Sequence, residues 1–349
     1  DAALASQIDG KFDEPESAPE VDDSKVVGSL DGTPSWRVLN SSHVGLGNVD
    51  NTSDLDKPIS TATQTALDLK ASVSAARVLP FVNNLRMSMS SSDPVGTGSG
   101  STLYLHPYQG SLVSLYNGSA WEYLDLGDSA LSFSLSLTSG AVYDVFLYLS
   151  SGTPTLDFVQ WSSTTARATA LARQNSIDVK TSAATRRYIG SVYADATNTV
   201  TLSSSNMGIW NRYNQEDTYV SCSDNTDSWA TVSTTLYEEA RAQSTVGVSR
   251  VNVLTGKSDV VYALNYLPMS GTSSGYCAAG IGINNSTNVA FPNGGWKYAT
   301  TNAHTTGHYF AKLLGLNSIR RLQFASVVTT AYGDGNTSFL SGMYVNLKA

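Results

Sequence analysis

Apolar residues recur at every second position through much of this chain. Leu85, Met87 and Met89, then Leu103 and Leu105, then Phe133, Leu135 and Leu137, and later Val200 and Leu202, alternate with polar neighbours. That period marks strands with one buried face. Residues 142–149 (Val142, Tyr143, Val145, Phe146, Leu147, Tyr148, Leu149) are more continuously apolar and predict a central strand buried on both faces. Asn117-Gly118, Ser139-Gly140 and Ser151-Gly152 supply the positive-φ residues that hairpins need. Further strands are predicted at 246–250, 260–267, 278–283, 308–314 and 343–347. One segment has helical spacing instead. Ile59, Ala62, Ala66, Leu69, Val73 and Ala76 fall three and four residues apart between Pro58, suited to a first helical turn, and Pro80. A seam so thin and Ala-rich cannot hold a lone helix, so it must be covered by copies of itself or by a neighbouring β-domain.

These elements divide the chain into an acidic segment at 1–26, a loop-rich adaptor at 27–57, a helix at 58–78, and β-domains at 79–207 and 208–349. The adaptor carries the turn clusters Asp31-Gly32-Thr33-Pro34 and Gly45-Leu46-Gly47-Asn48 around Trp36-Arg37-Val38-Leu39. Residues 203–215 read as a hinge between the β-domains. The expected fold class is mainly β, with two β-sandwich, jelly-roll-like domains after the adaptor and helix. No fixed-period repeat is present, which argues against a long β-helix.

Composition agrees. Charged residues are only 14% and Tyr numbers 18, while helix formers such as Lys, Glu and Gln are scarce. Of the net charge of −8, most sits in residues 1–26, where eight acids face Lys11 and Lys25. The rest of the chain is nearly neutral and lacks the basic stripe that nucleic-acid binding requires. No stretch approaches the roughly 18 apolar residues of a membrane span, and no signal peptide is legible, so a soluble protein without membrane insertion is expected.

Candidate chemistry is sparse. Cys222 and Cys277 are too few for a disulfide framework and too far apart for a zinc pair; buried thiols are expected, with one bridge as the alternative. His304 and His308 have i, i+4 spacing, but Thr305-Thr306-Gly307 argues against a helix between them. Gly96-Thr97-Gly98-Ser99-Gly100 lacks the Lys of a phosphate loop and reads as a flexible loop. The acids of the last domain, Asp224, Asp227, Glu238, Glu239, Asp259 and Asp334, are the carboxylates a glycosidase would draw on. No cofactor is implied. Aromatic residues are the stronger lead, because Tyr and Trp pair a broad stacking face with a polar edge. Trp229, Tyr266, Tyr276, Trp296, Tyr298, Tyr309 and Tyr332 lie in the last domain. Trp296 and Tyr298, after Pro292-Asn293-Gly294-Gly295, are the expected exposed contact pair.

Residues 44–61, with Val44-Gly45-Leu46-Gly47-Asn48-Val49-Asp50-Asn51-Thr52-Ser53-Asp54 leading to Lys57-Pro58, closely resemble a segment recurrent in tailed-phage tail fibre and virion appendage proteins. Leu103-Tyr104-Leu105-His106-Pro107-Tyr108, Tyr143-Asp144-Val145-Phe146, Thr165-Ala166-Arg167 and Thr185-Arg186-Arg187-Tyr188-Ile189-Gly190 resemble a β-domain common in such proteins. Trp210-Asn211-Arg212-Tyr213-Asn214 is similar to the joint that follows that domain. The likeness covers roughly 27–215 and does not extend to 216–349. It implies a homotrimer attached to other virion proteins by its N-terminal part, with contact to a host surface glycan or protein nearer the C-terminus. The helix would then be a short trimeric coiled coil. The same modules would also suit a head fibre or capsid decoration protein, and a glycan depolymerase is the reading of another class. A structural, non-enzymatic protein is the expectation.

Overall fold

In the computed structural model the described residues are 25–30, 33–38, 45, 59–75, 79–231, 235–270, 275–285, 287–290, 297–298, 303–333 and 341–349. Residues 1–24 of the acidic segment, most of the adaptor, Ala76, Trp296 and Asp334 lie outside them. Two units are distinguished, residues 1–74 and residues 75–349, and the fold is mainly β.

In the first unit, Lys25–Leu30 and Thr33–Val38 pair antiparallel; the expected turn cluster Asp31-Gly32 lies outside the described residues. The helix is Thr61–Ala75 and starts later than the sequence suggested. Ser60, not Pro58, ends it: the Ser60 hydroxyl accepts the Thr63 amide at 3.2 Å, a serine N-cap. Ile59 therefore precedes the helix instead of lying in its first turn. Gln64 donates to Asp68 across one turn at 2.7 Å, adding local support.

In the second unit, strand Val142–Ser150 sits between two cores. Its odd positions Tyr143, Val145 and Leu147 enter one, with Leu85, Met87, Leu103 and Leu105. Its even positions Val142 and Phe146 enter the other, with Trp210, Val251, Val261 and Val345. This is the double burial its sequence predicted. Over the first core lies the sheet formed by Leu85–Ser88, Thr102–Pro107 and Leu131–Ser134, together with the hairpin Leu112–Tyr116/Trp121–Asp125. The middle sheet pairs Thr153–Gln160, Val142–Ser150 and Ala183–Ala196 in that order. Ser151 and Gly152, at φ 50° and 83°, make its tight turn.

Over the second core lie the long antiparallel strands Arg250–Ser270 and Ala303–Ala325, flanked by Gly342–Lys348, Asp217–Cys222 and Tyr276–Ile283. The long pair carries a bulge between Thr255 and Asp259.

Three sequence expectations are corrected. Residues 203–215 are no hinge, because Asn206–Met207 pairs in parallel with Asn252-Val253 and Ile209–Asn211 pairs with Gly190, Ser191 and Val192, burying Met207, Ile209 and Trp210. The strand expected at 246–250 is instead a turn at 247–249 leading into Arg250–Ser270. Gly98–Gly100 is not loop; it pairs with Val200, Thr201 and Leu202.

Candidate functional site

The outer face of the C-terminal sheet crosses four strands in the order Asp217–Cys222, Gly342–Lys348, Arg250–Ser270 and Ala303–Ala325. Alternation fixes which residues point outward, because Val220, Val261, Ala263, Val345 and Leu347 are committed to the core below. The register then places Tyr219, Asn346, Tyr262 and Phe310 in one outward row. Ser221, Tyr344, Leu264 and His308 form the next. On the opposite side of the first row, Asp217 pairs with Lys348 and Val260 with Lys312. Charge is thus collected at one end and absent from the two aromatic rows. Exposure is high for groups this apolar: Phe310 72%, Tyr219 69%, Tyr344 58% and Tyr262 40%. The Tyr262 hydroxyl and His308 Nδ1 lie 3.0 Å apart, tying two strands together on the outer side.

Beside this face, Tyr219 lines a cleft of about 440 Å³ with Thr97, Ser203, Ser204 and Thr218. Arg86 also borders it, but its guanidinium is committed to the carbonyls of Pro94, Asn214 and Ala349 at 3.0, 2.5 and 2.7 Å. Burial pushes the Arg86 pKa down, against opposing pulls from Tyr108 and Glu216. Arg187, fully buried, donates likewise to the carbonyls of Pro80, Val82 and Ser114. Both arginines act as internal clamps.

Four of the six expected seam residues are described with their side chains, and all four are exposed. Ile59 is 59% and Leu69 61% exposed, and Ala62 and Ala66 are exposed too. Leu67, which the seam omits, is 47% exposed, so the helix shows apolar surface on more than one side. Val73 is described in its backbone alone.

The sequence's contact pair is not assembled among the described residues. Trp296 lies outside them, and Tyr298 is described only as backbone, in strand Lys297–Tyr298 paired to Tyr276-Cys277. Of the other aromatic candidates, Tyr276 is exposed, Trp229 donates to Gln323 at 2.9 Å, and Tyr309 packs against the core. The residues that do form an exposed aromatic surface, Tyr219, Tyr262, Phe310 and Tyr344, were not singled out by the sequence.

His304 and His308 share a strand, where four residues span about 13 Å, so they do not meet at one ion. Three of the candidate acids are engaged structurally. Asp224 pairs with Arg241 at 3.1 Å, Glu239 with Arg320 at 2.7 Å, and Glu238 accepts from Gln323 at 2.6 Å. Burial opposes charge on Asp224, but hydrogen bonds from Thr226 and Arg241 outweigh it and hold the carboxyl below the usual range. Cys222 and Cys277 are both buried and not bridged to each other, and burial pushes the Cys222 thiol up to about 12.

No protein-family model and no curated protein matches this chain. Among solved structures, it is similar to a chain in a structure of infectious bursal disease virus Gx strain, at 9% identity over 77% of this chain and 76% of that one. The TM-score is 0.18, so that likeness carries no argument.

Proposed function

We propose that this chain is a homotrimeric structural protein of a tailed-phage virion, a tail fibre or receptor-binding appendage. Residues 1–57 attach it to the particle, and the β-rich unit makes contact with a host surface glycan or protein. It acts by binding, without turnover and without a cofactor. The observation that carries this reading is the uncovered helix directly after the 44–61 segment that resembles phage appendages. A helix of 15 residues is marginal in water on its own, and Leu67 and Leu69 within it and Ile59 just before it are solvent-exposed. Three copies packed along the seam Ile59, Ala62, Ala66, Leu69, Val73 and Ala76 would remove that surface from water.

Sedimentation of the full chain tests the assembly. A mass of three chains is expected, and Leu69→Asp, at an exposed site, is expected to dissociate it without unfolding the β-rich unit. A stable wild-type monomer at micromolar concentration would remove the basis of the reading. Electron cryomicroscopy of the intact particle then tests the location: density at the tail supports an appendage, whereas density on the capsid gives the head-fibre assignment instead.

A further inference from the structure

The exposed aromatic face is four strands wide and charged along one end only. Tyr219 and Phe310 stand three strand spacings apart, about 14 Å. Together the four aromatic side chains expose on the order of 500 Å² on each chain. That is as large as the biggest patch on a typical monomer and much broader than one sugar ring requires. An uncharged aromatic centre with charge at its margin is the anatomy of a protein interface.

We infer that this face is covered by further copies of the same chain, three faces turned toward a common axis. The inference rests on the trimeric reading above. Its specific support is where the margin's charges stand. Asp217, two residues from Tyr219, lies on the first strand opposite Lys348, and Lys312, two residues from Phe310, lies on the fourth opposite Val260. Neither Asp217 nor Lys312 makes an ion pair with another described residue. At three strand spacings they do not reach each other within one chain. A cyclic arrangement sets one edge of each sheet against the opposite edge of the next copy, with equal rows at equal height. Asp217 of each copy then meets Lys312 of its neighbour, three times around the ring.

Area sets how strong this contact is. About 500 Å² for each pairwise contact is well under the ~1,200–2,000 Å² of a stable interface. The face therefore acts as a second contact between copies already held close by the helix, where the effective concentration is high.

Charge reversal in the full chain tests this. Sedimentation from nanomolar to micromolar concentration would compare wild type, Asp217→Lys, Lys312→Asp, the double reversal and Phe310→Glu. All of these sites are exposed, and circular dichroism checks that each variant is folded. Each single reversal is expected to raise the concentration of half-dissociation by about tenfold, since three contacts are struck at once. The double reversal is expected to return it toward wild type, and Phe310→Glu to weaken assembly at least as much as either single change. A wild-type trimer whose midpoint none of these variants moves overturns the inference and leaves the trimeric reading standing. So does a double reversal no tighter than the singles, or an intact Phe310→Glu trimer that has lost host-cell binding, which would make the face a receptor surface. A wild-type monomer fails the trimeric reading itself.

Discussion

Arg167 grips both carboxylate oxygens of Asp144, Nε to Oδ2 at 2.6 Å and Nη2 to Oδ1 at 2.9 Å. Asp144 points to the same side of its strand as Val142 and Phe146, into the second core, where Ser191 also donates to it at 2.8 Å. Arg167 lies 4.5 Å from the Trp161 ring and donates to the Tyr188 hydroxyl and the Gly256 carbonyl. Burial works against its charge, but Asp144 and Tyr188 outweigh that and raise its pKa. Removing one partner leaves the other charged and buried. Asp144→Asn or Arg167→Met is expected to cost about 3–5 kcal/mol, with the double change costing less than the sum of the two. Urea unfolding at fixed chain concentration measures all three.

Gly256 lies in the bulge between Thr255 and Asp259, where that network meets the long strands. A Cβ there would run into the Tyr188 hydroxyl and the Trp210 ring, both fixed in the core. Gly256→Ala is expected to destabilise by about 1–3 kcal/mol. Gly100, with open space where its Cβ would stand, is the control. Gly100→Ala is expected to stay within about 0.5 kcal/mol. Equal effects in thermal melts would count against the close-approach account.

Asp178 supplies a pH dependence. Burial disfavours its charge, yet Lys257 at 2.5 Å and Arg212 at 3.0 Å prevail and hold its carboxyl below the usual range. The folded value is therefore lower than the unfolded value of about 3.9. Its contribution to stability is complete well above that value and is lost as pH falls through the folded one. Stability is expected to fall as pH drops below about 4. Asp178→Asn is expected to be less stable at neutral pH and to show a shallower acid limb in melts from pH 7 to 3.

Much of the fold was legible because apolar runs and turn chemistry agree with the final packing. The run from Val142 to Leu149 has no polar face to give to water, and Ser151-Gly152 admits the positive φ its turn needs. The connection at 203–215 misled for a physical reason. Strands of two and three residues are too short to show a period, and their Ser and Asn neighbours resemble a loop, although Met207 and Trp210 are core. The aromatic face was hidden differently. Along Arg250–Ser270 the buried positions include Asn265, which donates to the carbonyls of Gly280 and Leu322 and accepts from Arg321. Tyr262 and Leu264 meanwhile face out. With Asn265 inward and Tyr262 and Leu264 outward, hydropathy alone does not separate the two sides of that strand.

The shared second core predicts how residues 75–349 unfold. Val142, Phe146, Tyr188 and Trp210 from one half pack with Val251, Val261, Ile319 and Val345 from the other, so neither half keeps a complete apolar lining alone. A single cooperative transition is expected, in contrast to the two that separate sandwiches would give. Hydrogen exchange followed by mass spectrometry reads both halves at once. Amides of Thr102–Pro107 and of Arg250–Ser270 should lose protection at the same urea concentration. Thiol labelling gives an independent probe, since Cys222 is buried with its pKa pushed up to about 12 and should react at pH 8 only when the sheet around it opens. Labelling that follows the same midpoint supports one unit. A C-terminal half that opens while Thr102–Pro107 stays protected would show that the two cores separate, and that the bonds across Gly256 do not couple them.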